Sequence, residues 1–116
     1  RLLAALDEGG FAPPDLLALA RSHGASRALL DALAVAGELV RITPSFGLTP
    51  AGYSRWRQAV GEAFAASDQV TVKQLRDQLG TSRKYVLAFL EHLDARAVTR
   101  RVGEARILLD RSWLPE

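Results

Sequence analysis

Residues 81 to 84 read T-S-R-K, two hydroxyls followed by two cations, and directly precede the apolar run YVLAFLEHL. Hydroxyls and cations gathered at the head of a helix can hold an anion, because the first turn also exposes unpaired backbone N–H groups at the positive end of the helix dipole. Arg83 and Lys84 are otherwise misplaced there, and a bound phosphate would remove the conflict. Solvated surface cations fit equally well when this helix is considered alone. A second group of cations follows in VTRRVGEARILL, where Arg100, Arg101 and Arg106 flank a Gly-Glu pair. With Gly103 and Glu104 as a two-residue turn of type II′, Val102 pairs with Ala105, Arg101 with Arg106, and Arg100 with Ile107. Arg101 and Arg106 would then stand opposite one another on one face, where like charges repel unless a polyanion joins them. Arg100 would lie on an apolar face with Val98, Val102, Ile107 and Leu109, its stem covered and its head extended.

Other chemistries lack their residues. The chain has no cysteine and only two histidines, His23 and His92, which are far apart in sequence. Disulfides, cysteine nucleophiles and a cysteine or histidine metal site are therefore not expected. No G-x-x-x-x-G-K-[ST], G-x-S-x-G or H-E-x-x-H pattern occurs, and the acids are scattered over helix surfaces. The chain is read as a non-enzyme, without a metal or a cofactor of its own. Its net charge is only +2, but residues 1–69 carry six Lys/Arg against seven Asp/Glu, whereas residues 70–116 carry nine against six. Any polyanion should meet the second half.

The elements that place these residues repeat. PDLLALARSHGASRALLDAL (14–33) and TVKQLRDQLGTSRKYVLAFL (71–90) share a leucine and then G-x-S-R ahead of a helical run, with Gly24 over Gly80, Ser26 over Ser82 and Arg27 over Arg83. Each second helix is followed by two short β-prone segments, ELVRI and FGLT in the first copy, VTRRV and ARILL in the second. Helix, turn, helix and a two-stranded ribbon form the winged-helix plan. The expected fold class is therefore mainly α with small β-hairpins, as two tandem winged-helix domains at 1–49 and 50–116.

In the second copy, Val72, Leu75 and Leu79 mark one face of a helix that Gly80 ends. Val86, Phe89, Leu90 and Leu93 mark the buried stripe of the next, capped by Thr81 or Ser82. Thr49 and Pro50 open a helix over 50–67 whose Tyr53, Trp56, Val60, Ala63 and Phe64 share a face, serving as first helix of the second domain and as connector. Residues 1–8 are the corresponding helix of the first. There Ser26 and Arg27 lead into Ala28, Leu29 and Leu30, and the ribbon holds only Arg41. The first domain keeps the fold signal without the cations, as a spacer or support would. No window holds the ~20 uninterrupted apolar residues of a membrane span, so no membrane is expected. The chain lacks methionine even at its start and begins inside an apolar run, RLLAALDEGG, with no signal-peptide pattern. It reads as a piece of a longer, cytoplasmic protein.

Along GTSRKYVLAFLEHLDARAVTRRVGEARILL the chain resembles the last winged-helix domain of the bacterial selenocysteine-specific translation elongation factor, SelB. The turn G-T-S-R-K-Y, the helix L-x-x-L-D and the ribbon T-R-R-V-G carry the resemblance, which covers about residues 70–109; upstream, the order of elements fits the preceding domain of that family. The resemblance implies an arm that binds an mRNA hairpin, the selenocysteine insertion element, and tethers the factor to the message for UGA recoding. GTP would be bound by an N-terminal part absent from this chain. The ribbon and helix would act as a monomer, with the ribosome and selenocysteyl-tRNA met through the full-length protein. Matching the family's motif positions, Thr81, Ser82, Arg83, Lys84, Arg100 and Arg101 would contact RNA, holding its backbone and reading unpaired bases. Arg106 joins them from the hairpin register, and Tyr85 is expected to pack. A DNA-binding regulator is the first alternative, but the outer face of the helix offers Lys84, Leu87 and Glu91, a poor reader of base edges. A winged helix used for protein contact alone is the second.

Overall fold

A computed structural model describes residues 1–116. Its chain divides into two compact units, Arg1–Ser54 and Arg55–Glu116.

In the first unit, α1 (Leu2–Glu8), α2 (Leu16–Ser22) and α3 (Arg27–Val35) precede an antiparallel pair, β1 (Val40–Thr43) and β2 (Phe46–Leu48). Asp15 caps α2 by accepting from the Ala18 amide, and Ser26 caps α3 by accepting from that of Leu29. Leu2, Leu6, Leu16, Ala20, Leu30 and Leu39 pack as one buried cluster, so each helix contributes one apolar stripe. Arg41 on β1 donates to Asp31 of α3 at 2.7 Å.

The helix α4 (Pro50–Ala66) begins as expected, with the Thr49 hydroxyl accepting from the Gly52 amide. The boundary between the units falls inside it, between residues 54 and 55. After α4 the second unit continues with β3 (Val70–Thr71), α5 (Val72–Leu79), α6 (Arg83–Ala95), β4 (Thr99–Val102) and β5 (Ala105–Leu108). This is the element order of a winged helix. Thr71 caps α5 through a reciprocal pair: its hydroxyl accepts from the Gln74 amide, and the Gln74 side chain accepts from its backbone. Trp56, Val60, Phe64, Leu75, Val86, Phe89, Leu90 and Leu93 are buried, and the rings of Trp56 and Phe89 lie 4.7 Å apart.

Two features lie outside the expected pattern. The ribbon is the larger part of a three-stranded sheet ordered β3-β5-β4, because Val70 and Thr71 pair with Arg106 and Ala105. β5 is thus central and β4 an edge. Beyond the ribbon, a 3-10 turn at Arg111–Trp113 buries Trp113, with the Arg57 guanidinium 4.6 Å from its ring centroid. The turn lies so close to α4 that a Cβ on Gly61 would stand 2.1 Å from the Trp113 carbonyl oxygen, which explains a glycine in mid-helix. No helix is long and apolar enough to cross a membrane.

Four helix ends follow one rule. α2, α3, α5 and α6 are each followed by a residue with φ near +60° to +80°, namely Gly24, Gly37, Gly80 and Ala97. The next amide in each case reaches back five residues: Ala25 to Ala20, Glu38 to Leu33, Thr81 to Arg76 and Val98 to Leu93. These are the reverse turns that satisfy the last carbonyls of a helix. Three use glycine; α6 uses alanine.

Candidate nucleic-acid interface

Gly80 (φ 66°) reverses the chain after α5, and Ser82 starts α6 by accepting from the Tyr85 amide at 3.4 Å. The Ser82 oxygen is therefore occupied as a cap, while its O–H remains able to donate to an anion. Thr81 is half-buried beside it. Val86, Phe89, Leu90 and Leu93 are wholly buried and hold the helix to its domain. Arg83 and Lys84 project from the first turn, exposed, with no acidic residue in that turn. Lys84 Nζ lies 5.6 Å from the Tyr85 ring centroid, and Arg83 has no hydrogen-bond or ion-pair partner in the chain. Cations on the preceding helix differ: Arg76 and Lys73 both bind Asp77, and these bonds hold its carboxyl below the ordinary aspartate pKa. The charge of α5 is answered internally, and that of the α6 start is not.

The ribbon has the expected register, with Val102 opposite Ala105, Arg101 opposite Arg106 and Arg100 opposite Ile107. Gly103 has φ +60° and Glu104 does not share the left-handed conformation, as a turn of type II′ requires. Arg100 is exposed and unpaired on the edge strand. Arg101 is exposed too, and its Nε donates to the Gly103 carbonyl at 2.9 Å, fixing the side chain over the turn while its outer N–H groups stay free.

Arg106 departs from expectation. It is 2% exposed and donates to Asp94 Oδ2 through Nε at 3.2 Å and Nη2 at 2.9 Å. It is therefore not available to RNA. Pairing places it on the same face as Arg101, but β5 is the middle strand and β4 the edge, so one guanidinium is covered and the other is not. The repulsion expected between them is answered by Asp94. The face assignment changes with it: Thr99 and Arg106 are buried, whereas Val102 and Leu109 are 42% and 46% exposed. Periodicity could show which residues share a face but not which face turns inward. The missed residue is Asp94, whose sequence signals are its place at the end of L-x-x-L-D and an acid in the last turn of α6, where the helix dipole disfavours it.

His23 is the residue that ends α2, and His92 is half-buried with its ring 5.8 Å from that of Phe89; burial lowers the His92 pKa. No cluster of three or more His, Cys, Asp or Glu could hold a metal ion. The structure thus gathers Thr81, Ser82, Arg83 and Lys84 at the head of α6 and sets Arg100 and Arg101 on the exposed strand of the ribbon.

Residues 62–108 match the family described as elongation factor SelB, winged helix. No curated protein sequence matches the chain significantly. Among solved structures, the chain is similar to the mRNA-binding domain of elongation factor SelB from E. coli, solved in complex with SECIS RNA. That likeness has a TM-score of 0.77 at 22% identity and covers 94% of this chain and 97% of the other. It is also similar to a bacterial selenocysteine-specific elongation factor, EF-Sec, with a TM-score of 0.74 at 21% identity, over 94% of this chain and 18% of that one. At these identities the structural likeness speaks to the fold.

Proposed function

With residues 62–108 matched to the SelB winged helix, we propose that the chain is the mRNA-hairpin-binding arm of a selenocysteine-specific elongation factor. It tethers that factor to the message for UGA recoding. The observation that carries this reading is the uncompensated cationic start of α6 inside the stretch that matches that family. Arg83 and Lys84 hold phosphates of the hairpin, Thr81 and Ser82 donate to the same backbone, and Arg100 and Arg101 close on it from the ribbon. Basic side chains presented on a projecting strand and a helix start suit RNA, whose unpaired bases and sugar-phosphate backbone are more open than its deep groove. In support, the similar E. coli domain was solved with SECIS RNA.

The first unit acts as a second winged helix, in tandem, serving as spacer or support, with the functional division at residues 49 and 50. Its ribbon arginine, Arg41, is already engaged by Asp31, in keeping with a supporting role. The arm works as a cytoplasmic monomer and is not itself an enzyme; GTP, selenocysteyl-tRNA and the ribosome are met by the rest of the factor.

Binding of a bulged RNA hairpin and of duplex DNA of equal length, measured across a salt series, tests the reading. Hairpin preference is expected, with log affinity falling by roughly 0.7–0.9 per phosphate contact for each decade of salt. Arg83→Ala and Arg101→Ala should each weaken hairpin binding and flatten that slope by about one contact, with the melting temperature unchanged. Equal affinity for the two nucleic acids would overturn the assignment, and wild-type affinity in both variants would favour a protein-contact role.

A further inference from the structure

Asp94 stands in the last turn of α6, where a carboxylate meets the negative end of the helix dipole. Its oxygens are divided between two strands. Oδ1 accepts from the Thr99 hydroxyl on β4 at 2.6 Å, and Oδ2 accepts from Arg106 on β5 at 2.9 Å and 3.2 Å. Both partners are almost completely buried, Thr99 at 1% exposed and Arg106 at 2%. A buried ion pair contributes little net stability compared with apolar residues of the same volume, because desolvation offsets the attraction. Its geometric effect is larger, since a charged acceptor with three directed donors admits few arrangements of helix and ribbon. Thr99 precedes Arg100 and Arg101 in the chain, and Arg106 is the strand partner of Arg101. Each arm of the network thus ends beside an arginine assigned to the hairpin.

We infer that Asp94 is a positioning residue for hairpin recognition: its carboxylate locks the ribbon to α6, so that Arg100 and Arg101 meet the RNA at a fixed spacing from Arg83 and Lys84. The inference rests on the RNA-binding reading above. In its absence the folded protein keeps every contacting side chain but must order the ribbon at the moment of binding, an entropic cost that appears as lost affinity.

Affinity of the full chain for the bulged hairpin, measured well below the melting temperature, separates this from a purely structural role. Asp94→Asn and Arg101→Ala should each lose about tenfold, while the double variant loses much less than the product of the two, because the residues act through one contact. Thr99→Val removes a single hydroxyl and should show a smaller loss that also fails to add to that of Arg101→Ala. Asp94→Asn that melts lower yet binds as wild type overturns the inference while leaving the RNA assignment intact. Wild-type affinity in Arg101→Ala and Asp94→Asn together removes the ribbon from the interface and overturns the inference, while the RNA assignment is decided separately by Arg83→Ala and by the comparison with duplex DNA. Should Asp94→Asn not fold, Thr99→Val decides: a loss that adds fully to that of Arg101→Ala, or no loss, refutes the coupling.

Discussion

Arg106 brings a permanent charge into the interior of a small domain, and only the Asp94 carboxylate makes that tolerable. The consequence is asymmetric. Removing the Asp94 carboxylate leaves Arg106 buried and unanswered, which costs about 3–5 kcal/mol, whereas removing Arg106 leaves an Asp94 that is partly exposed and still bonded to Thr99. Exposed charges change stability by about 0.5 kcal/mol or less. Asp94→Ala should therefore lower the denaturant midpoint strongly, and Arg100→Ala, two residues from Val102 on the open edge, should leave it nearly unchanged. Denaturant titration of both variants checks the contrast; similar midpoints would mean that the Arg106–Asp94 pair is dispensable. At this scale the sequence was legible up to a limit. Alternation and the Gly-Glu turn correctly paired Arg101 with Arg106, but burial depends on which strand is central, and that was decided by β3, a two-residue strand too short to show any period.

Elements were easiest to read where local chemistry set their ends. α5 runs from Val72 to Leu79 as its apolar spacing and Gly80 demanded, and α4 begins at Pro50 behind the Thr49 cap. Where the signal is tertiary, reading failed: nothing in RSWLPE shows that Trp113 closes against α4, and the demand falls instead on Gly61, which looks like an ordinary helix weakness. The four helix ends supply an element-scale prediction. Ala97 adopts φ 59° where the three matching positions carry glycine. A side chain in the left-handed region costs about 1–2 kcal/mol, of which glycine's extra freedom in the unfolded chain returns about 0.5–1 kcal/mol. Ala97→Gly should stabilise the second unit by roughly 0.5–1 kcal/mol, raising its melting temperature by a few degrees; a lower melting temperature would show that the alanine methyl makes contacts worth more than the strain.

For the whole molecule, charge and fold divide the labour. The first unit has its ribbon cation paired, and the second leaves its cations open at a helix start and along one strand. Composition showed this asymmetry as a surplus of basic residues after position 69, and the structure sharpens it by withdrawing Arg106 from the surface and crediting Arg76 and Lys73 to Asp77. The edge position of β4 has a further effect on how molecules meet each other. An unpaired strand edge is a template for another chain, and charged side chains are among the devices that keep it from zipping to a neighbour. Arg100 and Arg101 fill that office whether or not RNA is present. Changing both to valine would leave T-V-V-V along the open edge, and sedimentation should then reveal concentration-dependent aggregates. Changing both to glutamate should abolish hairpin binding yet keep the protein dispersed, so the same two positions would separate a binding charge from a merely gatekeeping one.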